Sequence, residues 1–132
     1  MIYGIGIDIA EISRFEKAYA RFGQRFCAKI LTPEELSRVS AARDTARYLA
    51  MRFAAKEATS KALGTGFKQG IAPRQIGVAH APSGKPSLVV HGHAKALFAQ
   101  EGIIASHVSL SDDGGFAIAY VVLERGETTN QV

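Results

Sequence analysis

The sequence predicts a protein of mixed helices and β-strands that is built around one long helix. Residues 45–66, TARYLAMRFAAKEATSKALGTG, are rich in Ala, Leu, Lys and Glu and contain no proline, a composition typical of a strong helix. Gly64 is suited to end this helix, because glycine adopts the left-handed backbone of a helix C-terminus without strain. Residues 2–9, IYGIGIDI, alternate isoleucine with small or polar residues, which predicts a strand. Further strand-like segments follow in the second half of the chain.

The remaining elements are predicted from apolar spacing and from end signals. Apolar residues at helical spacing predict a first helix over about residues 10–22. The TPEE segment at residues 32–35 has the threonine, proline and glutamate of a helix start with a capping box. A hairpin turn is predicted at the DDGG segment of residues 112–115. The strand after it, residues 116–123, is apolar on both faces, so we expect it at the centre of a sheet or at an interface.

Composition and charge restrict the possible functions. The chain has 132 residues, 47% of them hydrophobic and 21% charged, which indicates one globular domain. We expect that domain over residues 1–125 and a flexible tail over residues 126–132. The N-terminal residues do not resemble a signal peptide, no segment is long and apolar enough to span a membrane, and the single cysteine, Cys27, suits a reducing cytoplasm. The net charge of +4 indicates an anionic partner.

Two groups of polar residues lie where apolar residues are usual. Asp8 shares one face of the first strand with Gly4 and Gly6, and glycines inside a strand often mark the close approach of another backbone or of a ligand. Glu57 and Lys61 lie one turn apart on the long helix. Asp8 could equally cap the next helix, and the helix pair could be an ordinary surface ion pair. The glycines that follow the helix favour a ligand that contains metal and phosphate.

The predicted first helix carries an unbalanced basic stripe. Glu16 is the one nearby counter-charge to four basic residues at helical spacing, Arg14, Lys17, Arg21 and Arg25. Such a stripe can be a solvated face, but its single sign favours a docking surface for an acidic partner. A nucleic-acid-binding module would need aromatic side chains on a sheet face for stacking. The aromatic residues follow instead the buried spacing of the first helix: Phe15, Tyr19, Phe22 and Phe26.

Taken together, the motifs resemble those of the holo-[acyl-carrier-protein] synthases, a branch of the 4′-phosphopantetheinyl transferases. The matching segments are GIGIDI at residues 4–9, RFAAKEATSKALGTG at 52–66, GKP at 84–86 and HVSLS at 107–111. The resemblance covers nearly the whole chain, and the second segment is its most specific part. Many members have a histidine after the last segment, whereas Asp112 stands here, so no role of that histidine is carried over.

The resemblance implies an α+β fold with a mostly antiparallel sheet packed on the long central helix. It also implies transfer of the 4′-phosphopantetheine arm of coenzyme A to a serine of apo acyl carrier protein, with release of 3′,5′-ADP, for fatty acid biosynthesis. Asp8 and Glu57 would bind Mg²⁺, a hard ion that carboxylates and substrate phosphates satisfy. With Lys61 they would form the catalytic group. The serine proton would pass to Glu57 or to a metal-bound water, and the resemblance leaves both open.

The same resemblance implies the remaining contacts. The residues expected to bind coenzyme A are Lys61 with Arg52 and Lys56 beside it, Gly64 and Gly66 after the helix, the loop of Gly84, Lys85 and Pro86, and His107. Arg14, Arg21 and Arg25 would dock the acyl carrier protein. The family implies a homotrimer with active sites between subunits, and no nucleic acid or membrane partner is expected. A subunit that binds Mg²⁺ and coenzyme A without transferring anything remains the alternative.

Overall fold

The structure is a computed structural model that describes residues 1–126. Of the tail predicted over residues 126–132, all but Gly126 lies outside the described residues. Within the described part the elements are, in chain order, β1 Ile2–Glu11, α1 Ile12–Phe22, α2 Gln24–Ile30, α3 Pro33–Val39, α4 Thr45–Leu63, a 3-10 turn Pro73–Gln75, β2 Ile76–His80, β3 Pro86–Val90, α5 Gly92–Gln100, β4 Ile103–Asp113 and β5 Phe116–Arg125.

The strands form two separate antiparallel sheets. A three-stranded sheet has the order β1-β5-β4, and β2 pairs with β3 in a two-stranded sheet. The strand that is apolar on both faces, β5, lies at the centre of the larger sheet, as predicted. In the register Asp8 lies opposite Ala119, and Ala119 lies opposite Leu110. The inward face of this sheet packs on α4, and the expected α+β fold is confirmed.

Two glycines of β1 allow the backbone of this strand to lie against α4. A Cβ atom built on Gly4 would lie 2.0 Å from the carbonyl oxygen of Ala62, and one built on Gly6 would lie 1.9 Å from that of Ala58. No larger residue can occupy either position without moving the helix. The sequence left two readings of these glycines open, and the structure shows that the close neighbour is another backbone.

The end signals predicted at residues 32–35 and at Gly64 are confirmed. Asp44 caps α4, and its Oδ1 accepts a hydrogen bond of 3.1 Å from the backbone N–H of Arg47. Gly64 ends α4 with φ of 82°, in the left-handed region that favours glycine. At the start of α3, Thr32 and Glu35 form the full capping box. No helix within residues 1–126 combines the length and the apolar character that a membrane crossing requires.

The first helix ends at Phe22, as predicted, and begins at Ile12 because β1 continues to Glu11. The chain breaks at Gly23, where φ is 59°, and continues as the separate helix α2. Phe15 is buried as expected, but Phe22 is 49% exposed. The prediction that Phe22 is buried is therefore wrong, because this residue lies at the end of α1, where the ring lies under the guanidinium group of Arg21.

The outward face of the three-stranded sheet is apolar and uncovered. Since the glycine face of β1 points to α4, the isoleucines of this strand point to solvent. Ile5, Ile7 and Ile9 are 56%, 57% and 61% exposed, and Tyr120 beside them on β5 is 43% exposed. An apolar patch of this kind is typical of a surface that a protein partner covers.

We expect Gly6→Ala to destabilise the fold, because its Cβ would overlap a backbone carbonyl of α4 that cannot rotate away. Overpacking of this kind costs about 1–3 kcal/mol, and more where the backbone must move. The measurement is urea unfolding at a fixed protein concentration. Gly126→Ala is the matched control, since its Cβ would approach only a side-chain carbon of Ile104, at 3.2 Å. Equal stability of the two variants would contradict the packing described here.

Candidate functional site

Asp8, Glu57 and Lys61 come together where β1 crosses α4. The Lys61 ammonium lies 3.0 Å from Asp8 Oδ1 and donates a second hydrogen bond of 3.1 Å to the carbonyl oxygen of Ile7. Burial raises the pKa of the Glu57 carboxyl, and the nearby Asp8 carboxylate raises it further, whereas Lys61 lowers it. The three residues that were predicted to form the catalytic group therefore lie at one site.

The donors at this site suit a hard divalent cation. Asp8 and Glu57 supply carboxylate oxygens from two different elements, and Asp8 lies 3.0 Å from the Lys61 ammonium, one helical turn from Glu57 on α4. The described residues contain no group of three or more His, Cys, Asp and Glu side chains that could hold a metal alone. Mg²⁺ does not require such a group, because one or two carboxylates with substrate phosphates and waters complete its shell. The residues therefore fit a magnesium ion that is held jointly with a phosphate ligand.

A cavity of about 270 Å³ lies between α4, the β2–β3 turn and β4. Three residues predicted to contact coenzyme A, Arg52, Gly84 and Pro86, line it. The remaining lining residues are Arg47, Met51, His80, Val108, Ser109 and Leu110. The α4 helix therefore links the carboxylate pair to a cavity that is rimmed with basic groups.

Arg52 is held in place on one wall of this cavity. Its guanidinium carbon lies 3.8 Å from the centre of the Tyr48 ring, and Nη2 lies 3.3 Å from His80 Nδ1. Burial lowers the pKa of the His80 imidazole, and the positive charges of Arg52 and Arg38 lower it further. The buried Nε of Arg52 has no hydrogen-bond partner among the described residues. An anion in the cavity would meet a preformed basic group.

His80 and Arg47 are among the residues of this cavity that sequence reasoning missed. His80 ends β2 directly opposite Pro86, the first residue of β3, so a prediction of strand pairing around residues 84–86 would have pointed to it. Arg47 makes a two-pronged contact with Asp112, with distances of 3.0 and 2.8 Å from Nε and Nη2 to the two carboxylate oxygens. The Arg47 hydrogen bond lowers the pKa of Asp112. Asp112, the point of departure from many relatives, thus joins the end of β4 to α4.

Other predicted contacts lie apart from the cavity in the single chain. His107 lies on the uncovered sheet face, where Nε2 is 3.3 Å from Glu124 Oε2. Lys85 is exposed and does not line the cavity. Gly64 and Gly66 both have positive φ, and their neighbourhood is open. Conformation alone therefore accounts for these glycines.

The ammonium group of Lys56, which is predicted to contact coenzyme A, is engaged inside the protein. The Lys56 side chain is fully buried, and its ammonium lies 2.6 Å from Glu35 Oε1 on α3. It also donates to the carbonyl oxygens of Pro73 and Ile76. All three donors are used inside the protein, so none is available to a phosphate. Lys56 and Glu57 are adjacent in the sequence, and helical spacing alone could not show that their side chains contact different neighbours.

The predicted docking residues Arg14, Arg21 and Arg25 are all exposed. Arg14 also lines a small cavity of about 160 Å³, and the other lining residues are apolar: Phe15, Ala18, Phe26, Ile30 and Phe53. The basic surface therefore has an apolar hollow beside it, which the sequence did not indicate. Another cavity, of about 760 Å³, lies elsewhere, between α2, α3 and the 3-10 turn. None of the predicted site residues lines it.

Comparison with known proteins gives close relatives along nearly the full chain. Residues 4–121 match the 4′-phosphopantetheinyl transferase superfamily. The chain is 53% identical over 124 residues to the holo-[acyl-carrier-protein] synthase of Nitratidesulfovibrio vulgaris strain DP4, covering 94% of this chain and 99% of the relative. It is 49% identical over 125 residues to that of Vibrio cholerae strain M66-2, covering 95% and 99%.

Solved structures agree with this relationship. The crystal structure of the Neisseria meningitidis holo-[acyl-carrier-protein] synthase superposes with a TM-score of 0.89 at 42% identity, covering 95% of this chain and 100% of that chain. The Helicobacter pylori synthase, solved in complex with coenzyme A, gives a TM-score of 0.79 at 35% identity, covering 91% and 99%. The motif resemblance is confirmed: the chain belongs to the 4′-phosphopantetheinyl transferase superfamily and is similar throughout to holo-[acyl-carrier-protein] synthases.

Proposed function

We propose that this protein transfers the 4′-phosphopantetheine arm of coenzyme A to a serine of apo acyl carrier protein in a Mg²⁺-dependent reaction that releases 3′,5′-ADP. The main support is the grouping of Asp8, Glu57 and Lys61 in a chain of this superfamily whose α4 also lines a cavity with basic groups. The relatives named above are called holo-[acyl-carrier-protein] synthases. A further relative, from Bacillus anthracis, was solved with coenzyme A (3′,5′-ADP).

The proposed reaction is a single phosphoryl transfer. The hydroxyl oxygen of the carrier serine bonds to the phosphorus atom that bears the pantetheine arm. The bond from that phosphorus to the bridging oxygen breaks, and 3′,5′-ADP leaves. Negative charge moves to the transferred group and to the leaving oxygen, so fixed positive charge near these atoms lowers the barrier. Lys61 supplies such a charge, and its side chain is 51% exposed toward an incoming substrate.

Asp8 and Glu57 would hold the magnesium ion. When bound, Mg²⁺ supplies positive charge to the phosphoryl oxygens and to the leaving oxygen. The contribution of the protein is to hold two carboxylates close together, that of Asp8 on the inward face of β1 and that of Glu57 on α4. Their mutual repulsion and the burial of Glu57 raise the pKa of Glu57, and a cation between two such carboxylates relieves this repulsion.

The nucleotide end of coenzyme A would occupy the cavity next to α4. Arg52 is suited to a phosphate because its planar group is already oriented by Tyr48. Gly84 and Pro86 would contact the adenosine, with Lys85 at the entrance. At about 270 Å³ the cavity is at the small end of ligand sites. We therefore place the rest of the ligand outside it.

A homotrimer would complete the site and cover the apolar sheet face. Ile5, Ile7, Ile9 and Tyr120 leave an exposed patch that a second copy of the chain can bury. His107 lies on the same face, so contact between copies would bring it toward a neighbouring cavity. This patch is mainly aliphatic, which disfavours a nucleic-acid module that stacks bases on aromatic rings.

The acyl carrier protein would dock on α1 and α2. Arg14, Arg21 and Arg25 are exposed and positively charged, which suits an acidic helix. The apolar cavity beside Arg14 would accept an apolar side chain from that helix. We place the reaction in fatty acid biosynthesis because the partner carries acyl chains, and in the cytoplasm because the thiol of Cys27 is free.

We expect Asp8→Asn and Glu57→Gln to reduce transfer by about 100-fold or more, since each removes one charged oxygen ligand and leaves the side-chain volume unchanged. Intact mass of an apo carrier protein incubated with coenzyme A and Mg²⁺ measures the transfer. The parent protein should add one phosphopantetheine per carrier, and chelation of Mg²⁺ should stop the reaction.

Glu16→Gln is the matched control, because this carboxylate is exposed on α1. Circular dichroism checks that all variants are folded. Parent-level rates from both site variants at limiting Mg²⁺ would refute the metal assignment. A parent protein that binds coenzyme A but adds no mass to any carrier would instead support the non-catalytic subunit.

We expect the double variant Arg14→Glu/Arg21→Glu to raise KM for an acidic carrier protein while changing kcat little, since only binding of the partner is weakened. Affinity for coenzyme A, measured by calorimetry, should not change. Added salt should mimic the effect in the parent protein, because exposed charges are screened over about 8–10 Å. Arg74→Glu/Lys95→Glu makes the same charge change on another surface. If both double variants raise KM equally, net charge and not this surface guides the carrier.

We expect Ile7→Lys to disrupt the assembly, because a charge placed on the uncovered sheet face must be desolvated when copies meet. Sedimentation velocity of the parent protein should show a trimer and that of the variant a monomer. Val89→Lys is the control, since Val89 is 39% exposed on the smaller sheet. A parent protein that sediments as a monomer at all concentrations would overturn the trimer proposal.

A further inference from the structure

A buried ion pair that the proposed chemistry does not use joins α3 to α4. Lys56 of α4 and Glu35 of α3 lie 2.6 Å apart, with side-chain exposures of 0% and 3%. Burial lowers the pKa of the Lys56 ammonium, and the Glu35 carboxylate opposes this shift. Taking two charges out of water is costly, so such pairs often contribute little net stability. The position of this one suggests another role.

The lysine side of the pair is tied to the chain segment that enters the smaller sheet. Besides Glu35, the Lys56 ammonium donates to the carbonyl oxygen of Pro73 at 3.2 Å and to that of Ile76. Pro73 belongs to the 3-10 turn, and Ile76 is the first residue of β2. One side chain of α4 therefore fixes two backbone carbonyls at the start of the hairpin.

The glutamate side of the pair holds the same strand. Glu35 Oε2 accepts a hydrogen bond of 2.9 Å from the backbone N–H of Val78, in the middle of β2. Its other oxygen accepts from Lys56 and, at 3.0 Å, from the N–H of Thr32 in the capping box. Strand β2 also packs tightly on this cap, since a Cβ built on Gly77 would lie 3.0 Å from Thr32 Cγ2.

The hairpin needs such an anchor because the larger sheet does not extend to it. Strands β2 and β3 pair only with each other among the described strands, and an isolated two-stranded hairpin is marginally stable at best. Its turn carries Gly84 and Pro86, which line the cavity opposite Arg52. Arg52, Lys56 and Glu57 all belong to α4. The ion pair therefore links α4, which forms one wall of the cavity, to the β2–β3 hairpin, which forms another.

We infer that Glu35 and Lys56 are positioning residues that hold the β2–β3 turn at a fixed place relative to α4 and so set the affinity for the nucleotide part of coenzyme A. The inference rests on the proposed function, because it assigns the cavity to that substrate. Neither residue touches the substrate. Both act through the backbone of β2, and neither forms a hydrogen bond with Asp8 or Glu57.

The test removes both charges together, because either charge left alone would be buried without a partner. The double variant Glu35→Gln/Lys56→Met keeps an amide oxygen as acceptor for the Val78 N–H and keeps an apolar stem on α4. We expect KM for coenzyme A and the calorimetric Kd for 3′,5′-ADP to rise about tenfold. We expect kcat and KM for the carrier to stay within about threefold of the parent, a split that loss of folded protein would not produce. Amide hydrogen exchange should quicken at residues 76–80 and remain slow in α4.

Glu34→Gln is the matched control, since this exposed carboxylate lies one residue away and its ion pair is with His91 on another surface. It should leave all of these constants unchanged. Unchanged affinity for 3′,5′-ADP in a folded double variant would overturn the inference. Glu35→Gln alone is the second variant. Loss of the folded state in both variants would also overturn the inference, because the ion pair would then be required for the whole fold and not for the position of the hairpin. Lack of transfer by the parent protein would refute the proposed function, whereas Kd for 3′,5′-ADP tests the inference separately.

Discussion

The contact between the backbone of β1 and the backbone of α4 is the constraint on which the rest of the structure depends. It exists because Gly4 and Gly6 have no side chain to separate the strand from the carbonyls of Ala58 and Ala62. The contact turns the isoleucines of β1 outward and brings Asp8 close to α4. The grouping of Asp8 with Glu57 and Lys61 and the exposed apolar sheet face therefore both result from this one packing arrangement.

The central helix is not amphipathic in the usual sense, because it is surrounded by neighbours on several sides. Its side chains on one side meet the sheet, Phe53 meets α1, and Lys56 meets the smaller sheet. The two lysines of the second half of α4 therefore have different neighbours. Lys61 faces Asp8, whereas Lys56 faces Glu35, although the two lysines lie close together in the sequence. Helix α4 therefore carries Glu57 and Lys61, for which we propose catalytic roles, as well as Lys56, which holds the smaller sheet.

Cap, stop and turn signals in the sequence predicted those parts of the structure that depend only on neighbouring residues. The cap at Thr32, the stop at Gly64 and the hairpin at residues 112–115 depend on a few neighbouring residues, and all were predicted from the sequence. The residues alone marked Asp8 as unusual in a strand, whereas its grouping with Glu57 was implied by the motif resemblance.

Features that depend on distant parts of the chain could not be predicted in this way. The burial of Lys56 depends on where β2 lies, and no spacing within α4 reports that position. The stacking of Arg52 on Tyr48 beside His80 likewise needs the fold. The apolar hollow beside Arg14 arises because α1 breaks at Gly23 and α2 turns back, which apolar periodicity alone concealed.

The direct passage from β1 into α1 has a consequence for how a carrier is presented. Glu11 ends the strand and Ile12 begins the helix without a loop between them, and the N–H of Ile12 is fixed by a hydrogen bond of 2.9 Å to the carbonyl oxygen of Gly115. Arg14 and Arg21 therefore follow Asp8 on two elements that join without a loop, whereas Arg25 lies on α2. A carrier seated on α1 would be held at a distance from Asp8 that the junction of β1 and α1 fixes.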